Sequence, residues 1–125
     1  MRRVVGLDLG QQQDYTALAL LEWEEEAAPQ YAVRQLRRWP LGTSYTTICD
    51  GLVATFAMPE LAGSVLVVDE TGVGLPVVQM VYREMRRARA KGGIVGVVIT
   101  GGHETSQAAA GRWHVPKKTL VSVLQ

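Results

Sequence analysis

The chain has one cysteine, Cys49, in 125 residues, which excludes an intrachain disulfide framework and a cysteine-based zinc site. Cys49 is expected to be an inert core or helix thiol in a reducing compartment. No apolar run approaches the roughly 18 residues that a membrane span requires, and the Met1-Arg2-Arg3 opening leads into a short hydrophobic stretch interrupted by Asp8. No membrane partner is expected, and a cytoplasmic location follows. There is no Gly-x-x-x-x-Gly-Lys-Ser/Thr segment, so a P-loop ATPase is not part of this chain. Internal repeats, low-complexity segments and linkers are also missing. No Asp or Glu follows Glu104.

What is there fits one compact domain spanning 1–125. Hydrophobic residues make up 47% of the chain, enough for a core in a domain that buries roughly 65–70% of its unfolded surface. The net charge of +1 hides an asymmetry. Residues 1–63 carry 5 basic and 8 acidic side chains, and residues 64–125 carry 8 and 4. That split is compatible with an acidic site beside a basic shoulder, and equally with ordinary surface chemistry.

Val4 to Leu9 is a short apolar run interrupted by Gly6 and Asp8, the pattern of a buried strand. Tyr15 to Glu24, after a polar turn, and Tyr31 to Trp39, stopped by Pro40, read as two further strands in an antiparallel meander. Between Ser44 and Met58 the apolar positions Ile48, Leu52, Val53, Phe56 and Ala57 step by three and four, which predicts a helix capped by Thr43 or Ser44. Ser64 to Val68 is a fourth strand running into Asp69-Glu70. The turn Thr71-Gly72-Val73-Gly74 leads to a second helix with Pro76 in its first turn and Gly92-Gly93 at its end. Ile94 to Thr100 is a fifth strand, His103 to Pro116 reads as irregular, and Lys117 to Gln125 begins a helix with Leu120, Val121 and Leu124 as its apolar face.

Right-handed crossovers through the two helices place the fourth strand beside the first and the fifth beyond it. The expected architecture is therefore α/β: a five-stranded mixed sheet of order 3-2-1-4-5 with helices on both faces.

That order makes neighbours of two apolar strands that each carry a carboxylate. The two-residue strand period puts Asp8 on one face with Val4, Gly6 and Gly10, where glycine leaves room for a metal or substrate. Asp69 and Glu70 point to opposite faces, so one of them joins Asp8; Asp69, still inside the strand, is favoured over Glu70. Two carboxylates a few ångströms apart raise a pKa or recruit a cation. Oxygen ligands suit Mg²⁺ or Mn²⁺, and two such ions about 3.5–4 Å apart would activate water and stabilise the leaving oxygen of a phosphodiester. The plainer account has Asp8 capping a turn and Asp69 capping the following helix.

Val5-Gly6-Leu7-Asp8-Leu9-Gly10, Asp14-Tyr15-Thr16-Ala17, Val67-Val68-Asp69-Glu70-Thr71-Gly72-Val73-Gly74, Thr100-Gly101-Gly102 and Val115-Pro116-Lys117 together resemble the nuclease domain of phage large terminase subunits. The resemblance spans nearly the whole chain and rests on the order and spacing of the pieces. It implies an RNase H-like fold and metal-dependent endonucleolytic cleavage of concatemeric double-stranded DNA during genome packaging. The host would be a bacterial cell carrying a phage or prophage, and the partners a terminase ATPase or other packaging proteins. Asp8 matches the first catalytic acid and Asp69 the second; Glu70 and Asp14 are second-tier metal candidates.

The chain departs from that pattern in its third acid, which the family carries on a later helix, often in a His-Asp-Asp context. A domain truncated at its C-terminus would explain the departure, with Asp14 or Glu104 as substitutes. The alternative is a catalytically impaired remnant that binds DNA or a packaging partner. Gly6-Leu7-Asp8-Leu9-Gly10 also resembles the first phosphate loop of actin-like ATPases and sugar kinases, which need a second such domain.

Arg83, Arg86, Arg87, Arg89 and Lys91 make one side of the second helix basic and suit a DNA backbone, though a solvated helix face is the plainer account; Lys117 and Lys118 at the last helix start suit phosphates, and simple exposure explains them equally. The Thr71-Gly72-Val73-Gly74 turn can offer backbone N–H groups to a phosphate or serve only as a tight turn. His103 and His114 lack metal-ligand spacing, and Trp113 reads as packing.

Overall fold

The computed structural model describes residues 1–11, 13–28, 30–88 and 92–124, with the backbone alone for 121–124. Three strands, β1 (Arg2–Asp8), β2 (Ala17–Trp23) and β3 (Tyr31–Arg38), form the antiparallel meander. Helix α1 (Tyr45–Phe56) crosses to β4 (Val65–Asp69), and helix α2 (Leu75–Arg87) crosses to β5 (Ile94–Thr100). Then come β6 (Ser106–Ala109), β7 (Arg112–Pro116) and α3 (Lys117–Leu124). The pairing of β1 with β4 and of β4 with β5 is parallel, as the crossovers require.

The sheet has seven strands, in the order β3-β2-β1-β4-β5-β7-β6, where five were expected. The first five stand in the expected order. The two additional strands lie where an irregular segment was anticipated: β7 runs parallel to β5 and β6 antiparallel to β7. Their sequence gives little strand signal because β6, Ser106-Gln107-Ala108-Ala109, is exposed throughout and has no apolar alternation to bury. The turn between them uses Gly111 at φ 72°, a conformation that disfavours side chains with a Cβ.

Both crossover helices pack on one face of the sheet rather than being divided between two. The reason is handedness: β3 to β4 and β4 to β5 step in the same direction across the sheet, so two right-handed connections pass over the same side. Ile48, Cys49 and Leu52 from α1 and Val81 and Met85 from α2 meet Val5, Leu7, Leu66 and Val68 from the two central strands in one core. Each such Val or Leu contributes about 1.5–3 kcal/mol by leaving water. Ser44 caps α1, its hydroxyl accepting from the Thr47 N–H at 3.2 Å. The opposite face carries the small residues Gly6, Ala17 and Ala19 and is met by Leu120 of α3.

Helix α2 ends at Arg87, before the expected Gly92. Arg89 and Lys91, the turn at Pro29, and the side chains of Val121 and Leu124 lie outside the described residues. Cys49 is buried and free, and burial pushes its thiol pKa up, with Glu84 and Asp50 adding to the rise.

Candidate metal centre

Asp8 and Asp69 are the last residues of β1 and β4, and the parallel register pairs them directly, Asp8 with Asp69. Neighbouring strands lie about 4.8 Å apart, so the two side chains leave the same face within reach of a single cation. The adjoining strands place Ala17 and Val97 on the same row. Together with Gly6, Val67 and Leu120 these residues line an open cleft of ≈ 380 Å³. A Cβ built on Gly6 would meet nothing within 4 Å, so glycine there leaves space beside Asp8.

The Asp8 carboxyl is held above its ordinary pKa, first by desolvation at the sheet surface, then by Asp69, then by Asp14. An acid destabilised in this way by its neighbours gains from an added positive charge. Asp69 is anchored from its own turn. Its Oδ1 accepts from the Thr71 N–H at 2.9 Å and from the Thr71 hydroxyl at 2.6 Å. The Gln11 side-chain amide donates to the Gly72 carbonyl, tying the loop after β1 to the turn after β4. Strand-end capping and cleft lining thus coexist at Asp69.

Glu70, which was placed among the metal candidates, is not brought to this cleft. Strand alternation turns it to the helix-covered face, where it is 4% exposed. There Oε1 accepts from Arg112 Nε at 3.0 Å and Nη2 at 2.7 Å, while Oε2 accepts from the Tyr82 hydroxyl at 2.8 Å. Gly96 makes the space: a Cβ on it would fall 2.4 Å from the Tyr82 hydroxyl oxygen and 2.8 Å from Glu70 Cδ. Burial, followed by the bond to Glu70, drives the Tyr82 pKa far above its ordinary value of 10.0.

The remaining candidates divide by position. Asp14 lies near enough for its charge to raise Asp8, yet it lines a different cleft, of ≈ 200 Å³, against Ser44 and Tyr45 at the start of α1. Glu104 is exposed in the loop after β5. Among the described residues no three His, Cys, Asp or Glu side chains gather closely enough to hold a metal ion, so neither substitute completes a trio.

Lys117 and Lys118 begin α3 immediately after Pro116, which pairs with Thr100 at the same sheet end as the two acids. Lys118 Nζ lies 2.8 Å from His103 Nδ1. Arg86 and Arg87 are exposed in the last turn of α2, on the covered face, and about 20 Å of helix separates that turn from the helix start next to Asp69. The structure does not bring them to the acids. Arg87 and Arg83 instead reach Glu84, at 3.5 and 3.6 Å.

Sequence reasoning missed four residues that shape this end of the sheet: Thr71, Gln11, Tyr82 and Arg112. Thr71 had a legible signal, since a Thr two residues after an Asp at a strand end is an Asx-type turn. The other three act over long sequence separations that no local pattern discloses.

The donor set fits Mg²⁺ or Mn²⁺. Two carboxylates in register, with water and substrate oxygens for the remaining positions, is the usual economy of a hard divalent site. Such an ion supplies charge neutralisation and a polarised water. Around it, this chain's own residues hold Asp69 in one orientation, keep Asp8 accessible and provide an apolar floor.

No protein-family model matches the sequence, and no curated protein sequence does. Among solved structures, the chain is similar to RuvC of Thermus thermophilus, with a TM-score of 0.57 and 14% identity. The alignment covers 77% of this chain and 63% of that one, so the chain spans less than two thirds of the RuvC length. At this identity the likeness is one of fold: a mixed α/β architecture with a mixed sheet and helices, similar to that of RuvC.

Proposed function

We propose that the chain is a divalent-metal-dependent DNA endonuclease domain of the terminase type. It would cut concatemeric double-stranded DNA during genome packaging, in a bacterial cytoplasm and alongside a separate packaging ATPase. The observation that carries this reading is the register pairing of Asp8 with Asp69 at the open end of the sheet. The RNase H-like fold supports it, as does the run of motifs resembling terminase nucleases. Asp8 and Asp69 hold Mg²⁺ or Mn²⁺, two ions in a complete site, and Lys117 and Lys118 meet DNA phosphates from the same sheet end.

Supercoiled plasmid incubated with Mn²⁺ tests the reading. Nicking is expected from the wild-type chain and none from Asp8→Asn combined with Asp69→Asn; nicking that survives both substitutions rules out this site.

A second reading keeps DNA or partner binding and drops catalysis. It draws on the lack of a third clustered ligand among the described residues. Calorimetric titration with Mn²⁺ separates the two, because tight binding at two sites contradicts a remnant.

A further inference from the structure

Thr71 sits outside β4, faces solvent, and yet makes three polar contacts. Its backbone N–H and its hydroxyl both donate to Asp69 Oδ1, at 2.9 and 2.6 Å, and the hydroxyl oxygen accepts from the Ile99 N–H at 2.8 Å. The direction of the chain of bonds is fixed. A backbone N–H can only donate, so Ile99 occupies a lone pair of the hydroxyl and leaves its proton for the carboxylate.

The position of Ile99 gives the arrangement its purpose. The ladder between β4 and β5 ends at Asp69 opposite Val97, and the Glu70 N–H makes the next bond to the Val97 carbonyl at 2.8 Å. Beyond that point β4 has left the sheet, and the Thr71 hydroxyl takes up the Ile99 N–H. It therefore joins Asp69 to the backbone of a strand that is itself fixed on both sides.

We infer that Thr71 is a positioning residue for the metal centre. By saturating Asp69 Oδ1 and locking the carboxylate against β5, it leaves Oδ2 presented to the cation shared with Asp8; among the described residues, nothing bonds Oδ2. The inference rests on the reading of Asp8 and Asp69 as metal ligands. Groups that orient a ligand from behind commonly govern about 10–100-fold in metal affinity.

The test is calorimetric Mn²⁺ binding without DNA. Thr71→Val, close in shape but without the hydroxyl, is expected to weaken binding about tenfold, whereas Thr71→Ser, which keeps the hydroxyl, restores affinity to within about twofold of wild type. Wild-type affinity in the folded Thr71→Val variant overturns the inference and leaves the metal reading intact; absence of Mn²⁺ binding by the wild-type chain overturns both. If Thr71→Val fails to fold, Mg²⁺ titration of the wild-type chain followed by NMR replaces it: the Ile99 amide should shift more than that of Val98, and an Ile99 amide that stays silent while the Asp69 region responds overturns the inference.

Discussion

Asp69 and Glu70 are joined by one peptide bond and face opposite sides of the sheet, the first in the open cleft with Asp8, the second beneath α2 in the grip of Arg112 and Tyr82. A mutation pair should separate their roles. Asp69→Asn is expected to abolish Mn²⁺ binding with little change in melting temperature. Glu70→Gln should retain the binding and lose about 1–3 kcal/mol, the usual cost of breaking hydrogen bonds to a charged group. Thermal melts with and without Mn²⁺ check both.

Gly96 should tolerate no side chain. The missing Cβ is space already taken by the Tyr82 hydroxyl and Glu70, both held in hydrogen bonds. Gly96→Ala is expected to destabilise by about 1–3 kcal/mol through overpacking, and adding Tyr82→Phe, which removes the closest atom, should return part of that loss. Urea unfolding of the two single variants and the double variant measures it.

The pH dependence of stability should carry the mark of Asp8. Its folded-state pKa is raised, so the folded chain holds this proton more tightly than the unfolded chain does. That contribution is fully present below the ordinary value of 3.8 and is lost as pH rises through the higher folded value. At neutral pH the ionised side chain opposes folding, and Asp8→Asn should raise the melting temperature relative to wild type, with the difference vanishing in acid. Saturating Mg²⁺ should stabilise wild type and not the variant, by about 2.7 kcal/mol at a hundredfold excess over Kd.

Gly6 offers the converse of Gly96. Open space surrounds it on the cleft face, so Gly6→Leu should fold at near wild-type stability while filling the floor beside Asp8. Plasmid nicking is expected to fall at least about tenfold, the equivalent of 1.4 kcal/mol in the barrier, with the circular dichroism spectrum unchanged.

The central fold was legible because its signals are local or nearly so. Apolar runs at Val4–Leu9 and Ser64–Val68 mark the central strands, and three-and-four spacing marks the helices. Crossover handedness then fixes that β1 and β4 are neighbours, and with them Asp8 and Asp69. The same rule, applied to two steps in one direction, also puts α1 and α2 on one side and leaves the other face to α3. Strand β6 was hidden because an exposed edge strand has no hydrophobic face to print in the sequence, and β7, with Trp113 and His114 exposed at its centre, prints little more. Glu70 was misassigned among the metal candidates because strand alternation says that it faces away from Asp69 but not that Arg112, from the far side of β5, comes to neutralise it. Thr71, within a motif already noted for its glycines, was passed over for its hydroxyl.

The most direct measurement is paramagnetic broadening of the backbone amide spectrum by substoichiometric Mn²⁺. Signals of Asp8, Leu9, Asp69, Glu70 and Ala17 should disappear first, and should persist in the Asp8→Asn, Asp69→Asn double variant. Broadening centred on the Glu24–Glu26 run or on Asp14, or broadening at Asp8 and Asp69 that survives the double substitution, would contradict the account.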